Sequence, residues 1–447
     1  MEKRYDSIVH KPVSLGLARL AVPAVISSLF SVVFEIVDLF WVGKLGTRPV
    51  AALSAASFFV WLLRALALTV ATGTLALVSR RAGEGRTRRL LCTVVNSITS
   101  TLIVSVALTA LLFPVRHALF RWLQIPADVA NLSGQYAGAF LSGLAFVFLM
   151  VTGEHILRGI GNTRIPMLIT GFALLLNMAL DPVFIFRLDM GLRGAAWATV
   201  LSQLIGCILM MGALRSRFPV LKKGRPDISS RFFKNYFWPI VRIGTPISMS
   251  NAAFSVIYMV LSGQIAYFGG APLAAVGVGH RLESLPYFVA LGMSVAVATM
   301  VGQYLGAGQP EEARRSVYLA LKVASGILLI VSLAFFFIPG RLIGFFVRDP
   351  EVIRHGIRYL RIIALAEVFL AFEVILEGAF SGAGDTRPPF LIMFSLTFLR
   401  IPLSHLFART IGLGIDAIWV VISGTTFLKG VLLWIEFRRD RWSRKKI

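Results

Sequence analysis

Charge is scarce in this chain. Asp, Glu, Lys and Arg make up 15% of its 447 residues, where a soluble domain carries about 25%. Cysteine is nearly absent: Cys92 and Cys207 both lie in apolar stretches, which excludes a disulfide framework and a thiolate metal site. The six histidines show no ligand spacing. What abounds is apolar surface, 57% of residues at a mean hydropathy of +0.78. A soluble enzyme so composed would leave large apolar patches in water, and a disordered chain needs the opposite composition. A bilayer span uses ~20 apolar residues, so the composition points to an all-α integral membrane protein with many spans.

Apolar runs predict twelve spans near 16–42, 50–78, 91–113, 132–157, 165–186, 192–213, 237–267, 273–302, 316–338, 358–382, 389–409 and 414–436. The first run recurs later in the chain, so it reads as a span and not as a cleaved leader. The net charge of +23 does not indicate nucleic acid, because the basic residues cluster between the runs. With both termini cytoplasmic, 29 Lys and Arg fall inside, 12 in outer loops and 4 within spans (Arg64, Arg281, Arg400 and Lys429). That asymmetry sets the expected orientation in the plasma (inner) membrane. One outer segment, Arg341 to Arg361 with five arginines, breaks the trend and reads as an amphipathic lead-in to the tenth span.

Shifting the chain by 223 residues superposes its punctuation. Pro23 falls on Pro246, Gly46 on Gly269, Gly83 on Gly306 and Glu154 on Glu377. The stretch Gly159-Ile160-Gly161-Asn162-Thr163-Arg164-Ile165-Pro166 falls on Gly382-Ala383-Gly384-Asp385-Thr386-Arg387-Pro388-Pro389. Six spans per repeat is an even number, so the halves share one orientation about a pseudo-twofold axis along the membrane normal. The expected organisation is an N-terminal lobe over 1–214, a cytoplasmic linker over 215–234 and a C-terminal lobe over 235–447. Two lobes facing a midplane cavity are a transporter design.

The repeat also serves as a control, since polar residues confined to one half need a reason other than architecture. Ionisable groups in hydrocarbon cost at least ~2.5–3.5 kcal/mol each. Asp38 lies on the first span, Asn177 and Asp181 on one face of the fifth, and Thr199 on the sixth. The distances of Asp38, Asp181 and Thr199 from the outer span ends put these three in one layer ~6–11 Å deep at ~1.5 Å per residue, and Asn177 lies one turn from Asp181 on the same face. Two carboxylates, an amide oxygen and a hydroxyl can form a hard-oxygen cation site, a proton site, or plain interhelical polar glue. The positions 223 further on are Leu261, Arg400, Ser404 and Ile422, so no acid recurs. Pro182 leaves the carbonyl of Met178 without its donor, and Pro23 does the same for Arg19 and marks a bend point in the first span. Glu35 is a candidate second carboxylate beside Asp38, and Glu154 a candidate cavity residue, although its recurrence as Glu377 suggests structure. Arg400 is expected to pair with Glu373 or Glu377.

These blocks resemble the multidrug and toxin extrusion family. The resemblance rests on Leu20-Ala21-Val22-Pro23 with Asp38, Gly43 and Gly46, and on Asn177-Met178-Ala179-Leu180-Asp181-Pro182. Gly194-Ala195-Ala196-Trp197-Ala198-Thr199, Val301-Gly302-Gln303-Tyr304-Leu305-Gly306-Ala307-Gly308 and the stretch from Leu157 to Pro166 complete it. It implies an antiporter that exports organic cations and drugs against inward H⁺ or Na⁺. In the DinF-like subgroup it implies that Asp38, Asn177, Asp181 and Thr199 hold the coupling ion and that the first helix bends at Pro23. The NorM-type acid of the seventh span has no counterpart between Pro246 and Phe268, which favours the DinF-like assignment.

The expected partners are therefore small cationic or amphipathic organic substrates and the lipid bilayer, with no nucleic acid and no cofactor beyond the H⁺ or Na⁺. Two lobes in one chain complete a pathway, so a monomer is expected. The alternative is a flippase for lipid-linked sugars, which needs a strongly cationic cavity. An intramembrane enzyme would need a catalytic His or paired acids near a membrane face, and a channel would need a ring of identical polar residues.

Overall fold

The computed structural model describes residues 8–9, 11–122, 126–218, 232–445 and 447, without the side chains of Ser31, Glu35 and Trp122. Most of the expected linker at 215–234 thus lies outside the described residues. The described residues are helical, with no strand. The first half contains α1 (Val13–Gly43), α2 (Thr47–Gly83), α3 (Thr87–Trp122), α4 (Ala127–Ser142), α5 (Leu144–Gly159), α6 (Arg164–Pro182) and α7 (Gly191–Arg217). The second contains α8 (Trp238–Ala266), α9 (Gly270–Gly306), α10 (Pro310–Phe337), α11 (Pro339–Gly344), α12 (Pro350–Ala364), α13 (Glu367–Ala383), α14 (Arg387–His405) and α15 (Asp416–Arg438).

The 223-residue shift carries α2 onto α9 end for end, α6 onto α14, and the starts of α4 and α5 onto those of α12 and α13. Gly46 and Gly269, with φ of 104° and 112°, turn the chain into α2 and α9. Only glycine takes that conformation without strain. Among the described residues, ten helices are long and apolar enough to cross a membrane, and α4–α5 forms one further span bent by 55° at Gly143. Its repeat partner α12–α13, less apolar because of the arginines of α12, takes the place of a twelfth by the repeat. The tenth span is therefore a broken helix that starts at Pro350, eight residues before the expected 358. Asp349 caps it by accepting from the Glu351 and Val352 amides at 2.8 and 3.4 Å, with Pro350 at the first helical position.

The halves meet through exchanged contacts: α1 packs on α9, and α2 on α8. The seal lies toward the arginine-rich face, called inner here. Ala71 to Ser79 on α2 and Ala296 to Leu305 on α9 are buried without a gap, whereas Thr47–Leu62 and 270–285 show frequent exposure. The close packing between the halves is thus concentrated toward the inner face. Small residues make the seal. A Cβ at Gly83 would stand 2.0 Å from the carbonyl oxygen of Gln303, and one at Gly306 would stand 2.1 Å from that of Arg80. Gln303 is itself Arg80 shifted by 223, so the contact is its own symmetry mate. Gly73 against Ile240 and Gly244 against Thr69 are equally close.

Polar clasps lock the same face. The buried Gln303 amide donates to the carbonyl of Gly159 at 2.8 Å and accepts from the Ile8 amide at 3.1 Å. Arg80 donates to the carbonyl of Lys445 at 2.8 Å, and the Lys445 ammonium sits 2.9 Å from Asp385. Adding bulk where backbones touch should cost about 1–3 kcal/mol through overpacking. Gly306→Val is therefore expected to loosen the inner seal. A cysteine placed at buried Ser79, in a background lacking Cys92 and Cys207, should gain reactivity to an impermeant maleimide from the inner face, and unchanged labelling would contradict this account of the seam.

Candidate functional site

Three helices of the first half bring the expected residues together. Asp38 is on α1, Asn177 and Asp181 are one turn apart on α6, and Thr199 is on α7; all four are buried, Asn177 and Asp181 at 0% exposure. The Asn177 amide donates to Asp181 Oδ1 at 3.2 Å and reaches Thr199 Oγ1 at 3.5 Å. Thr199 spends its own proton on the carbonyl of Ala195 at 3.0 Å, which leaves its lone pairs for the site. The Asp38 carboxyl lies within hydrogen-bonding reach of Asp181. Two such carboxyl groups hold together by sharing a proton or by flanking a cation, because two bare anions repel.

Two acceptors complete the picture. Asn177 Oδ1 and Asp181 Oδ2 are buried with no donor. A buried oxygen without a partner costs about 1–3 kcal/mol, and a proton or hard cation entering the cluster would relieve it. The oxygens of Asp38, Asp181, Asn177 and Thr199 suit Na⁺ and H⁺ alike. Sequence reasoning missed Tyr136 on α4 and Arg64 on α2. Tyr136 is buried within electrostatic range of Asp38, Arg64 and Asp181, and the Arg64 guanidinium lies 5.6 Å from the Phe34 ring centre. Arg64 was visible as an in-span base; Tyr136 carried no sequence signal. The Glu35 side chain lies outside the described residues.

The prolines act differently from each other. α1 runs unbroken through Pro23, and the carbonyl of Arg19 that this proline frees accepts from the Thr163 hydroxyl at 3.3 Å. Thr386, the repeat mate of Thr163, donates to Ile243 at 2.6 Å on the other side. Pro182 ends α6 and leads into a π-helical turn, Val183–Arg187. The matching turn Leu406–Thr410 follows His405, so the widening belongs to the repeat and not to Pro182.

In the second half, the expected pairing of Arg400 with Glu373 or Glu377 is corrected. Arg400, near the outer end of α14, donates to Thr425, Tyr258, Thr426 and the carbonyl of Ile422 at 2.7, 2.7, 2.8 and 3.3 Å. Glu373 instead pairs with buried Lys429 of α15 at 2.7 Å. The reason is topological: α13 packs on α15 far more than on α14, so Glu373 meets Lys429 across that contact. Glu154 is held by Arg158 at 3.3 Å and by the Thr170 hydroxyl. Glu377 has a buried Oε1 without a partner, and Ser381 and Met393 stand where Arg158 and Thr170 would recur.

With this architecture in view, comparison with known proteins identifies the class. The MatE family model matches twice, over residues 23–183 and 246–406, the two matches offset by the same 223 residues. The chain belongs to the MatE family: it is a multi-pass membrane transporter and not an enzyme. A probable multidrug resistance protein NorM of Thermotoga maritima is 27% identical over 441 residues, 96% of this chain and 93% of that one. A protein named FAD transporter from Shewanella oneidensis is 27% identical over 411 residues, 90% of each chain. A MOP superfamily transporter from Pyrococcus furiosus shares the fold at a TM-score of 0.89 and 24% identity over 98% of both chains. An outward-facing multidrug resistance MATE transporter matches at the same TM-score, identity and coverage.

Breaking a buried ion pair strands a charge and costs about 3–5 kcal/mol. Lys429→Met should accordingly lower the unfolding temperature in detergent, and adding Glu373→Gln should restore most of it. A single variant as stable as the parent would show that the pair does not carry buried charge.

Proposed function

We propose that the chain is a secondary antiporter that moves small amphipathic organic cations and drugs outward, driven by H⁺ or Na⁺ entering at Asp38, Asn177, Asp181 and Thr199. The observation that carries this reading is the joining of two carboxyl groups with the unsatisfied oxygens of Asn177 and Asp181, in one lobe only. An architectural polar cluster would recur in the second half, and this one does not. The absence of any acid in α8 supports placing the protein in the DinF-like subgroup. The distribution of basic residues supports an inner-membrane location with both termini cytoplasmic.

In the outward-open form the site takes up a proton or cation, and the mutual repulsion that holds a place for cationic substrate falls. α1 then rearranges around Pro23, where the Thr163 hydroxyl donates to the carbonyl that the proline frees, and the substrate leaves. Coupling requires a free energy of about 1–3 kcal/mol between ion and substrate occupancy. The names of the Thermotoga relative and of other relatives favour drugs as substrates. An anionic substrate is the second reading, suggested by the Shewanella FAD transporter and by Arg64, which has no carboxylate partner among the described residues and stands over Phe34. A lipid-linked sugar flippase is less well supported. Of the in-span bases, Arg400 and Lys429 are buried and engaged, which counts against the cationic cavity that such a flippase needs.

The test uses purified protein in liposomes under an imposed pH or Na⁺ gradient, following a fluorescent cationic dye and, in a parallel arm, FAD. Asp38→Asn and Asp181→Asn should each abolish gradient-driven dye movement while leaving insertion intact. Near-parental transport by both variants would end the proposal. Movement of FAD without the dye would replace the substrate class and leave the ion site standing.

A further inference from the structure

The five arginines between Arg341 and Arg361 stand on the outer side, against the charge rule that the rest of the chain obeys. They are not architectural. The positions 223 earlier are Ala118, Ile125, Asn131, Gln135 and Gly138. Local acids answer only two of them. Arg354 pairs with Glu351 at 3.3 Å and Arg358 with Asp416 at 3.0 Å, while Asp349 is committed to capping α12. Among the described residues, Arg341, Arg348 and Arg361 have no carboxylate partner. Arg361 makes one long contact, 3.4 Å, to the carbonyl of Phe336.

Shape and apolar surface converge on the same place. A groove of about 470 Å³ runs along the arginine face of α12, and one of about 380 Å³ lies between α12 and the Phe337–Arg341 turn; Ile357 and Arg361 line both. Directly below, α10 turns Ile330, Leu333 and Phe337 outward, Phe337 at 71% exposure, and their spacing puts them on one helix face. Phe345, at 84% exposure, projects from the adjoining turn. Unpaired guanidinium groups thus stand over an apolar track that leads toward the bilayer interior. Arginine forks match phosphate oxygens in two-point hydrogen bonds, and amphipathic segments that set such bases beside phenylalanines seat themselves in the headgroup layer.

We infer that the α11–α12 corner is a binding site for an anionic phospholipid of the outer leaflet, its phosphate held by Arg341 and Arg361 and its acyl chain lying on Ile330, Leu333 and Phe337. Arg348 adds attraction from the rim. The site is separate from the ion cluster, on the other lobe.

Native mass spectrometry of the full chain, in detergent doped with equal phosphatidylglycerol and phosphatidylcholine, tests this. The parent protein should retain phosphatidylglycerol several-fold over phosphatidylcholine. The paired change Arg341→Gln and Arg361→Gln should bring the two to parity, whereas Arg193→Gln, which removes an exposed charge elsewhere on the outer side, should not. Excess inorganic phosphate should leave the lipid bound. Equal retention of both lipids by the parent overturns the inference without recourse to any variant. Equal loss in the Arg193 control would reduce the effect to general charge, and displacement by inorganic phosphate would assign the arginines to a free anion; either result also overturns it.

Discussion

In hydrocarbon no water is at hand to complete a polar group, so every buried charge must be answered by the protein itself. This chain meets the constraint in three ways. Lys429 and Glu373 neutralise each other. Arg400 spreads its charge over three hydroxyls and a carbonyl. Asp38 and Asp181 face each other, and Asn177 Oδ1 and Asp181 Oδ2 are left as buried acceptors without a donor. The first two arrangements are closed and self-sufficient. The third keeps buried acceptors unused, and the proposed ion site rests on that difference.

The inner seam obeys the same constraint through the backbone. Two helices that touch at carbonyl level, Gly83 on Gln303 and Gly306 on Arg80, exclude both lipid and water from the junction. Because the contact maps onto itself under the repeat, each lobe supplies half of one closure. Its polar clasps join residues distant in sequence, such as Gln303 with Gly159 and Arg80 with Lys445. Around these glycine contacts apolar side chains of both halves interlock, Leu17 and Leu20 with Met293, Val297 and Met300, and Val70 and Leu77 with Ile240 and Ile243, so the closure rests on apolar burial as well as on backbone contact.

Much of this was legible in the sequence because the repeat doubled each signal. The spans, the punctuating glycines and the one-sided acid cluster all follow from periodicity and the 223-residue shift, and the twin MatE matches carry the same offset. Helix breaks were harder. Apolar runs do not register the 55° bend at Gly143, because a glycine inside a hydrophobic stretch looks like any small residue. The arginines of α12 hid the start of the tenth span. The partner of Arg400 was misjudged because sequence order gives no packing order. α13 and α14 are consecutive, yet α15 is the neighbour that α13 presses against. Repetition also has a limit as a guide to role: Glu154 and Glu377 match in the alignment, but only the first keeps its arginine and threonine partners.

The asymmetry between the halves is therefore informative in both directions. Where identity recurs and partners recur, as for Thr163 and Thr386, each tying a carbonyl in the opening helix of a lobe, the residue serves the scaffold of the lobe pair. Where identity is lost, as from Asp38 to Leu261 and from Asp181 to Ser404, the two lobes have been released to do different work. α1 combines both conditions. It carries Asp38 into the one-sided cluster, packs against α9 across the seam on both sides of Pro23, and loses one helical hydrogen bond at that proline. A change of charge at one end of that helix therefore has a direct mechanical route to the seam at the other. Among the described residues, the other two helices of the acid cluster, α6 and α7, pack within their own half.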